Sequence, residues 1–386
     1  MPGPASSEPG SERDAADRAR SRDEWRNPRL ARNVFLWPTL LVVLLLAIFP
    51  LIASLGLALS NVQLVQGGFS IRFIGLTNFT NLFTGSDRTH FLGLFQQPTA
   101  LGWLVFIGGT TLLVVAFARY ILGRRVSPLG FVGRSVAVVS VVAFLWMIAG
   151  TLLGQGGRPG TLTVTFLYAL VGTALQYLIG LGLALLTIQR LAGQRFFRVV
   201  FLLPLTITPV GIAYMFRMLT DTQGGPFAPA FSAAGMSNFS VLGDPWGARI
   251  AVIIGDVWQW IPFMFIVLLG ALEGRDLETE EAGVVDGAGR WQIFLHITLP
   301  TIIPVSATVI LIRMIEGFKI IDLPNVLTGG GPGTATESVT LQSFQTWRAF
   351  NLGSSAAIAY TLLIVVTVVA TAYARLVLPR THHANE

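Results

Sequence analysis

One stretch constrains this chain more than any other. Residues Glu273 to Pro300 read EGRDLETEEAGVVDGAGRWQIFLHITLP, with long apolar runs on both sides. The acids and arginines of this stretch would each cost several kcal/mol in hydrocarbon. It is therefore an aqueous segment, yet it keeps a helical period. Trp291, Phe294 and Leu295 fall at i, i+3 and i+4, on one helix face. Gly287 and Gly289 predict a break, giving two short helices that meet at a turn. The expected shape is a helical elbow at a membrane surface, suited to passing force between a membrane domain and something docked against it.

The apolar runs decide the class. Hydrophobic residues make up 53% of the 386 positions and charged residues only 12%, where soluble domains carry about 25% charged residues. Eight runs are long enough to cross a bilayer, for which about 20 residues suffice. They are predicted near 34–59, 100–122, 131–153, 161–189, 199–219, 248–271, 301–321 and 354–378. Pro204 and Pro209 predict kinks in the fifth. Gly172, Gly180 and Ala184 predict close helix contact along the fourth. Residues 1–33 are expected to form a disordered tail rather than a cleaved leader, because the first apolar run is longer than a leader core. The remaining boundaries follow: 34–99 is the first span with an outer segment, 100–153 an added hairpin, 154–378 the core, and 379–386 a second tail.

Charge placement orients the chain. Eighteen of the 26 basic residues fall in alternate loops together with both ends. Six lie on the other side (Arg72, Arg88, Arg158, Arg217, Arg249 and Arg348), and Arg313 and Lys319 lie within the seventh span. The positive-inside rule then places both termini and the elbow in the cytoplasm. The same distribution gives no sign of nucleic-acid binding. Lys319 is the only lysine, and its neighbours do not form the G-x-x-x-x-G-K-[ST] phosphate loop. Any ATP-driven step belongs to another chain. There is no cysteine, and His90, His296, His382 and His383 show no metal-ligand spacing, so neither an enzyme nor a metal site is indicated.

Several motifs carry a family resemblance. Glu281-Ala282-Gly283, Asp286-Gly287-Ala288 and Ile297-Thr298-Leu299-Pro300 resemble the EAA loop of inner-membrane permeases in bacterial ABC importers. The DGA and the closing I-x-LP look like the carbohydrate branch, the family of maltose and glycerol-phosphate permeases. Ile74-Gly75-Leu76-Thr77-Asn78-Phe79, the run from Arg198 to Pro204 and Leu327-Thr328-Gly329-Gly330-Gly331-Pro332 resemble further segments of that family. The hairpin at 100–153 falls outside the likeness. Gly283 stands where the family usually has alanine, which loosens the helix by up to about 1 kcal/mol.

The resemblance implies an all-α polytopic membrane protein of about eight spans, with a six-helix type I permease core and a cytoplasmic coupling helix. It implies a bacterial or archaeal cell membrane, a second permease subunit, a dimer of ATP-binding subunits and an extracytoplasmic solute-binding protein. ATP and Mg would be bound by the ATPase partner and no cofactor by this chain. Glu281, Ala282, Gly283, Asp286, Gly287 and Ala288 would lie in or beside the ATPase contact, and the cargo would be a sugar.

Two groups of polar residues within spans are candidates for the solute path. Asp256, Trp258, Gln259 and Trp260 on the sixth span, with Tyr214 on the fifth, offer aromatic faces and hydrogen-bonding groups of the kind sugars need. Arg313, Glu316 and Lys319 at i, i+3 and i+6 are able to pair along one side of the seventh span. Glu316 and Lys319 are the better path candidates, and Arg313 or Arg217 would serve a phosphorylated solute such as glycerol phosphate. The alternatives are interfacial anchoring for the tryptophans and a self-neutralised structural network for the charges. An ion-gradient carrier using Asp256 and Glu316 is the rival mechanism; it leaves the elbow unexplained.

Overall fold

The computed structural model describes residues 28–66, 68–123, 128–189, 193–235 and 240–377. Of the disordered tail expected over residues 1–33, residues 28–33 instead begin a helix, and residues 1–27 lie outside the described residues, as do the end at 379–386, Arg124, Arg125 and Arg190.

Residues 28–57 form a unit by themselves. This unit is the first helix, α1, which starts at Pro28, six residues ahead of the expected span. It continues through a π-helical turn at Leu44–Ile48. Proline at a first helical position costs little, since its missing N–H would have no partner there.

The second unit holds the rest. Its outer segment has a hairpin of β1 (Ser60–Val65) and β2 (Gly68–Phe73), with Ser60 opposite Phe73. Two short helices follow, α2 (Thr77–Phe83) and α3 (Arg88–Phe91). Asn78, from the G-L-x-N-F motif, is buried and donates to the Ser60 carbonyl at 3.0 Å. The added hairpin comprises α4 (Ala100–Gly123) and α5 (Pro128–Met147). A two-residue clip, β3 (Gly93–Leu94) with β4 (Arg158–Pro159), ties the chain before the hairpin to the chain after it.

The core spans are α6 (Thr161–Thr187), α10 (Pro245–Glu273), α12 (Arg290–Phe318) and α14 (Leu352–Val377), with the bent pair α7 (Gln194–Thr206) and α8 (Pro209–Leu219). A short helix, α9 (Ala228–Ala233), follows the pair; α11 (Leu277–Val285) precedes α12, and α13 (Val339–Arg348) precedes α14. Among the described residues seven helices are long and apolar enough to cross a membrane, or eight counting the bent pair as one span.

The expected kinks in the fifth span prove to be one sharp break, with α7 and α8 meeting at 97°. Ile207 and Thr208 take extended conformations there, Thr208 caps α8 by accepting from Gly211 N, and Pro209 opens the new helix. Pro204 stays inside α7.

Helix α6 packs closely on α10. A Cβ on Gly180 would lie 2.6 Å from Met264 Cβ, so only glycine allows this approach. Leu181, Ala184, Met264, Leu268 and Leu272 form the core beside it. The added hairpin packs through α5: Phe144 and Met147 sit against Phe166, Phe318 and Ile358. Phe144 and Phe166 have ring centroids 4.3 Å apart.

Candidate functional site

The elbow forms as two arms, but the second is longer than expected. Residue 290 onward is not a separate short helix. It is the beginning of α12, which runs unbroken for 29 residues to Phe318. A π-helical turn at Phe294–Thr298 takes up the junction, and Pro300 and Pro304 are absorbed within the helix. At 1.5 Å per residue this arm is roughly 42 Å long, enough to cross a bilayer.

Each joint of the elbow is fixed by named groups. Asp276 caps α11, accepting from Glu278 N at 3.0 Å and from Thr279 Oγ1 at 2.9 Å. Arg275 Nε lies 2.7 Å from Glu280 Oε1, which also accepts from Thr298 Oγ1 at 2.7 Å. That triad ties the start of α11 to α12. Beyond α11, Ala288 N donates to Gly283 O and Gly287 N to Val284 O, both at 3.0 Å. This is a Schellman ending, and it holds Gly287 at φ +81°, where a side chain is strained. Gly283 lies where α11 touches α12: a Cβ there would come 3.0 Å from Ile297 Cδ1. Its glycine permits the close approach as well as reducing helix propensity. Beside the elbow, Arg198 of α7 pairs with Glu273 at the end of α10 at 2.5 Å.

The elbow turns apolar groups outward. Val285 is 87% exposed, Trp291 71% and Val284 61%. Trp291 stacks on Phe294 at 5.4 Å. Glu281, Ala282, Asp286 and Gly287 are exposed beside them, and Gly283 and Ala288 are half-buried. A cleft of about 560 Å³ separates the elbow from the end of α6, with Leu185, Ile188, Arg275, Glu280 and Phe294 among its walls.

The second group of candidates is divided by helical geometry. Asp256 and Trp260 are four residues apart on α10 and share a face; Trp258 points elsewhere and meets Phe216 edge-on at 6.0 Å. Gln259 is buried, and Tyr214 on α8 is 57% exposed. These five residues do not form one platform. Asp256 instead enters a buried knot: its Oδ2 lies 2.5 Å from Arg313 Nη2 and accepts from Gln176 Nε2 at 2.9 Å. The Arg313 guanidinium lies 4.7 Å from the Trp260 ring centre. Arg313 is 1% exposed and Asp256 4%.

The expected row of charges along the seventh span is therefore split. Glu316 and Lys319 do pair, at 2.7 Å and well exposed, but Arg313 turns to the neighbouring helix. Desolvation decides this, since a buried guanidinium needs a charge in reach. Gln176 was missed; a lone amide inside an apolar run was the available signal. Arg249 was counted as an outer charge, yet it is buried and donates to Ala335 O at 2.7 Å.

Seven apolar spans, a sharply bent helix pair, a hydrogen-bonded elbow and a charge knot inside the bundle define a multi-pass helical membrane permease. Residues 176–383 match the family described as "Binding-protein-dependent transport system inner membrane component", more than half of the chain, and this chain belongs to that family. It is 33% identical over 203 residues to the trehalose/maltose transport system permease protein MalF of Thermococcus litoralis, covering 53% of this chain and 69% of that one. It is 30% identical over 218 residues to the trehalose transport system permease protein SugA of Mycobacterium tuberculosis, covering 56% and 68%. A solved bacterial alginate ABC transporter, in complex with an alginate pentasaccharide-bound periplasmic protein, has a chain of similar fold. The TM-score is 0.58 at 16% identity, over 90% of this chain and 93% of that one.

Proposed function

We propose that this chain is the membrane-spanning subunit of an ATP-driven importer for a sugar, coupled to a separate ATPase through the elbow. The observation that carries the coupling is the outward set of Leu277, Val284, Val285 and Trp291 on a support held by the Asp276 cap, the Arg275–Glu280–Thr298 triad and the Schellman ending. A fixed, exposed apolar patch marks a docking surface. Glu278, Glu281 and Asp286 stand among these residues without an ion-pair partner among the described residues, which disfavours an anionic headgroup layer as the partner. The ATPase dimer binds ATP and Mg; a second permease completes the pathway, and an extracytoplasmic binding protein delivers the solute. Charge distribution supports both termini and the elbow on the cytoplasmic side of a bacterial or archaeal cell membrane. The sugar assignment draws on the relatives, named for trehalose, maltose and, at 28% identity, sulfoquinovosyl glycerol in Agrobacterium fabrum.

In this reading closure of the ATPase dimer moves α11, and α12 carries the displacement along its length to the Asp256–Arg313 knot. Binding couplings of this kind are reciprocal, so loaded binding protein favours the ATP-bound state. The test is ATPase activity of the reconstituted complex with Gly287→Asp. The expected result is intact assembly with loss of stimulation by loaded binding protein. Full stimulation in the variant, or uptake by this chain alone without ATP, would reject the coupling.

A further inference from the structure

The added hairpin lies before the residues that match the family, and the proposed coupling gives it no task. Its turn end meets the last turns of α14, and arginines gather there without any acid. Arg134 of α5 lies over the Tyr120 ring of α4 at 3.5 Å. The Arg375 side chain of α14 runs across Gly133, where a Cβ would stand 3.3 Å from Arg375 Cδ and closer still to the guanidinium. Arg119 is exposed one residue before Tyr120. None of the three makes an ion pair among the described residues.

The sequence explains why. No Asp or Glu occurs between Asp87 and Asp221, nor between Glu337 and Glu386. The three helices that meet here therefore contain no carboxylate. Helix α12, which also packs on α14, carries only Glu316, already paired with Lys319 near its other end. Within these packed elements the charge has no carboxylate partner, which leaves the cluster free to take an anion from outside them. Arg375 lies in the last turn of α14, and Arg119 and Arg134 lie within two turns of the ends of α4 and α5 at the hairpin's turn, near the depth of lipid headgroups.

We propose that Arg119, Arg134 and Arg375 form a binding site for the phosphate of an anionic lipid, held where the added hairpin meets the last span. Guanidinium groups bind phosphate oxygens in pairs through their planar fork. Tyr120 fixes one fork by stacking, and Gly133 leaves room for the other to lie flat along the helix. A bound lipid would bridge α5 and α14, clamping the hairpin to the core. Only the spanning of a bilayer is assumed; neither the solute nor the ATPase enters.

The test uses the full-length chain in a neutral detergent, titrated with phosphatidylglycerol or phosphatidylcholine and read by native mass spectrometry. Phosphatidylglycerol is expected to be retained at least about tenfold more tightly. Arg134→Gln with Arg375→Gln should lose about that factor for phosphatidylglycerol alone, whereas Arg72→Gln with Arg348→Gln, at the other end of the bundle, should not. Millimolar inorganic phosphate or glycerol phosphate should leave the lipid bound; displacement by either would assign the site to a free phosphate and overturn the lipid. Equal retention by the Arg134/Arg375 variant, or equal loss in the distal control, would also overturn it. Should the variant fail to fold, photoactivatable phosphatidylglycerol on the unaltered chain gives the answer. Adducts on peptides covering 115–123 and 369–377 are expected, and an even spread over both membrane faces refutes the site.

Discussion

Replacing Arg313 by methionine isolates what the buried knot contributes. The pair is 2.5 Å apart, and both side chains are nearly free of water. Unit charges about 4 Å apart attract by about 4 kcal/mol at an effective dielectric constant near 20. Desolvating two ions costs several kcal/mol each, so the intact pair contributes little net stability. Removing one partner is different, because the other stays buried and uncompensated. Arg313→Met should therefore cost about 3–5 kcal/mol, with Asp256 left facing Gln176 alone. Asp256→Leu should cost a similar amount by stranding Arg313 under Trp260. The double variant should recover most of the loss, since shape is roughly kept and no charge remains. The assay is a double-mutant cycle on the purified chain in mixed micelles, read from denaturant midpoints and slopes. Additive losses, or a neutral Arg313→Met, would refute the assignment of these residues to a mutually dependent buried pair.

Other perturbations follow from single contacts. Gly180→Val places carbon into Met264 and should prevent α6 from seating on α10, seen as loss of folded protein from the membrane fraction; normal yield would contradict the packing. Arg275→Met leaves Glu280 held by Thr298 alone and should raise amide exchange across 277–285 severalfold while leaving α14 unchanged. His90 donates to or is paired with Glu337 at 2.7 Å, and this contact, with Asp87 adding to it against the opposing effect of burial, raises its pKa above 6.5. The clasp between α3 and the loop before α13 should be complete below about pH 6.5 and weaken as pH rises through the raised value. Amide exchange over 86–94 from pH 5.5 to 8.5 reports this, and His90→Ala should flatten the profile.

Much of the architecture was legible in the residues. Apolar runs located the spans because hydrocarbon tolerates little else. The elbow was legible too, since helix period and glycine placement coincide there. Its second arm is longer than the sequence suggests because Pro300, just beyond the π-helical turn, and Pro304, inside the helix, do not interrupt α12. The hairpin of β1 and β2, and helix α13, were not foreseen: β2 is exposed along its whole length and is held by pairing with β1, while α13 is fixed by packing Val339, Leu341 and Gln342 into the core. Asp256 stood out in the sequence as a candidate for the solute path, and its partner lies 57 positions away on another helix. Spacing along one helix suggested Glu316 for Arg313, and only the third dimension supplies Asp256. Trp258 and Trp260 looked like one cluster for the opposite reason: two positions apart in sequence, they face different sides of a helix.

Cross-linking at Val285 tests the coupling claim most directly. The chain has no cysteine, so Val285→Cys introduces a single thiol at the most exposed apolar position of the elbow. Cross-linking with a short thiol-to-amine bifunctional reagent to the co-purified ATP-binding subunit should succeed from this position, change in yield between nucleotide-free and ATP-trapped states, and fail from Tyr214→Cys. Comparable yield from Tyr214→Cys, or no cross-link from Val285→Cys in an actively transporting complex, would contradict docking through the elbow.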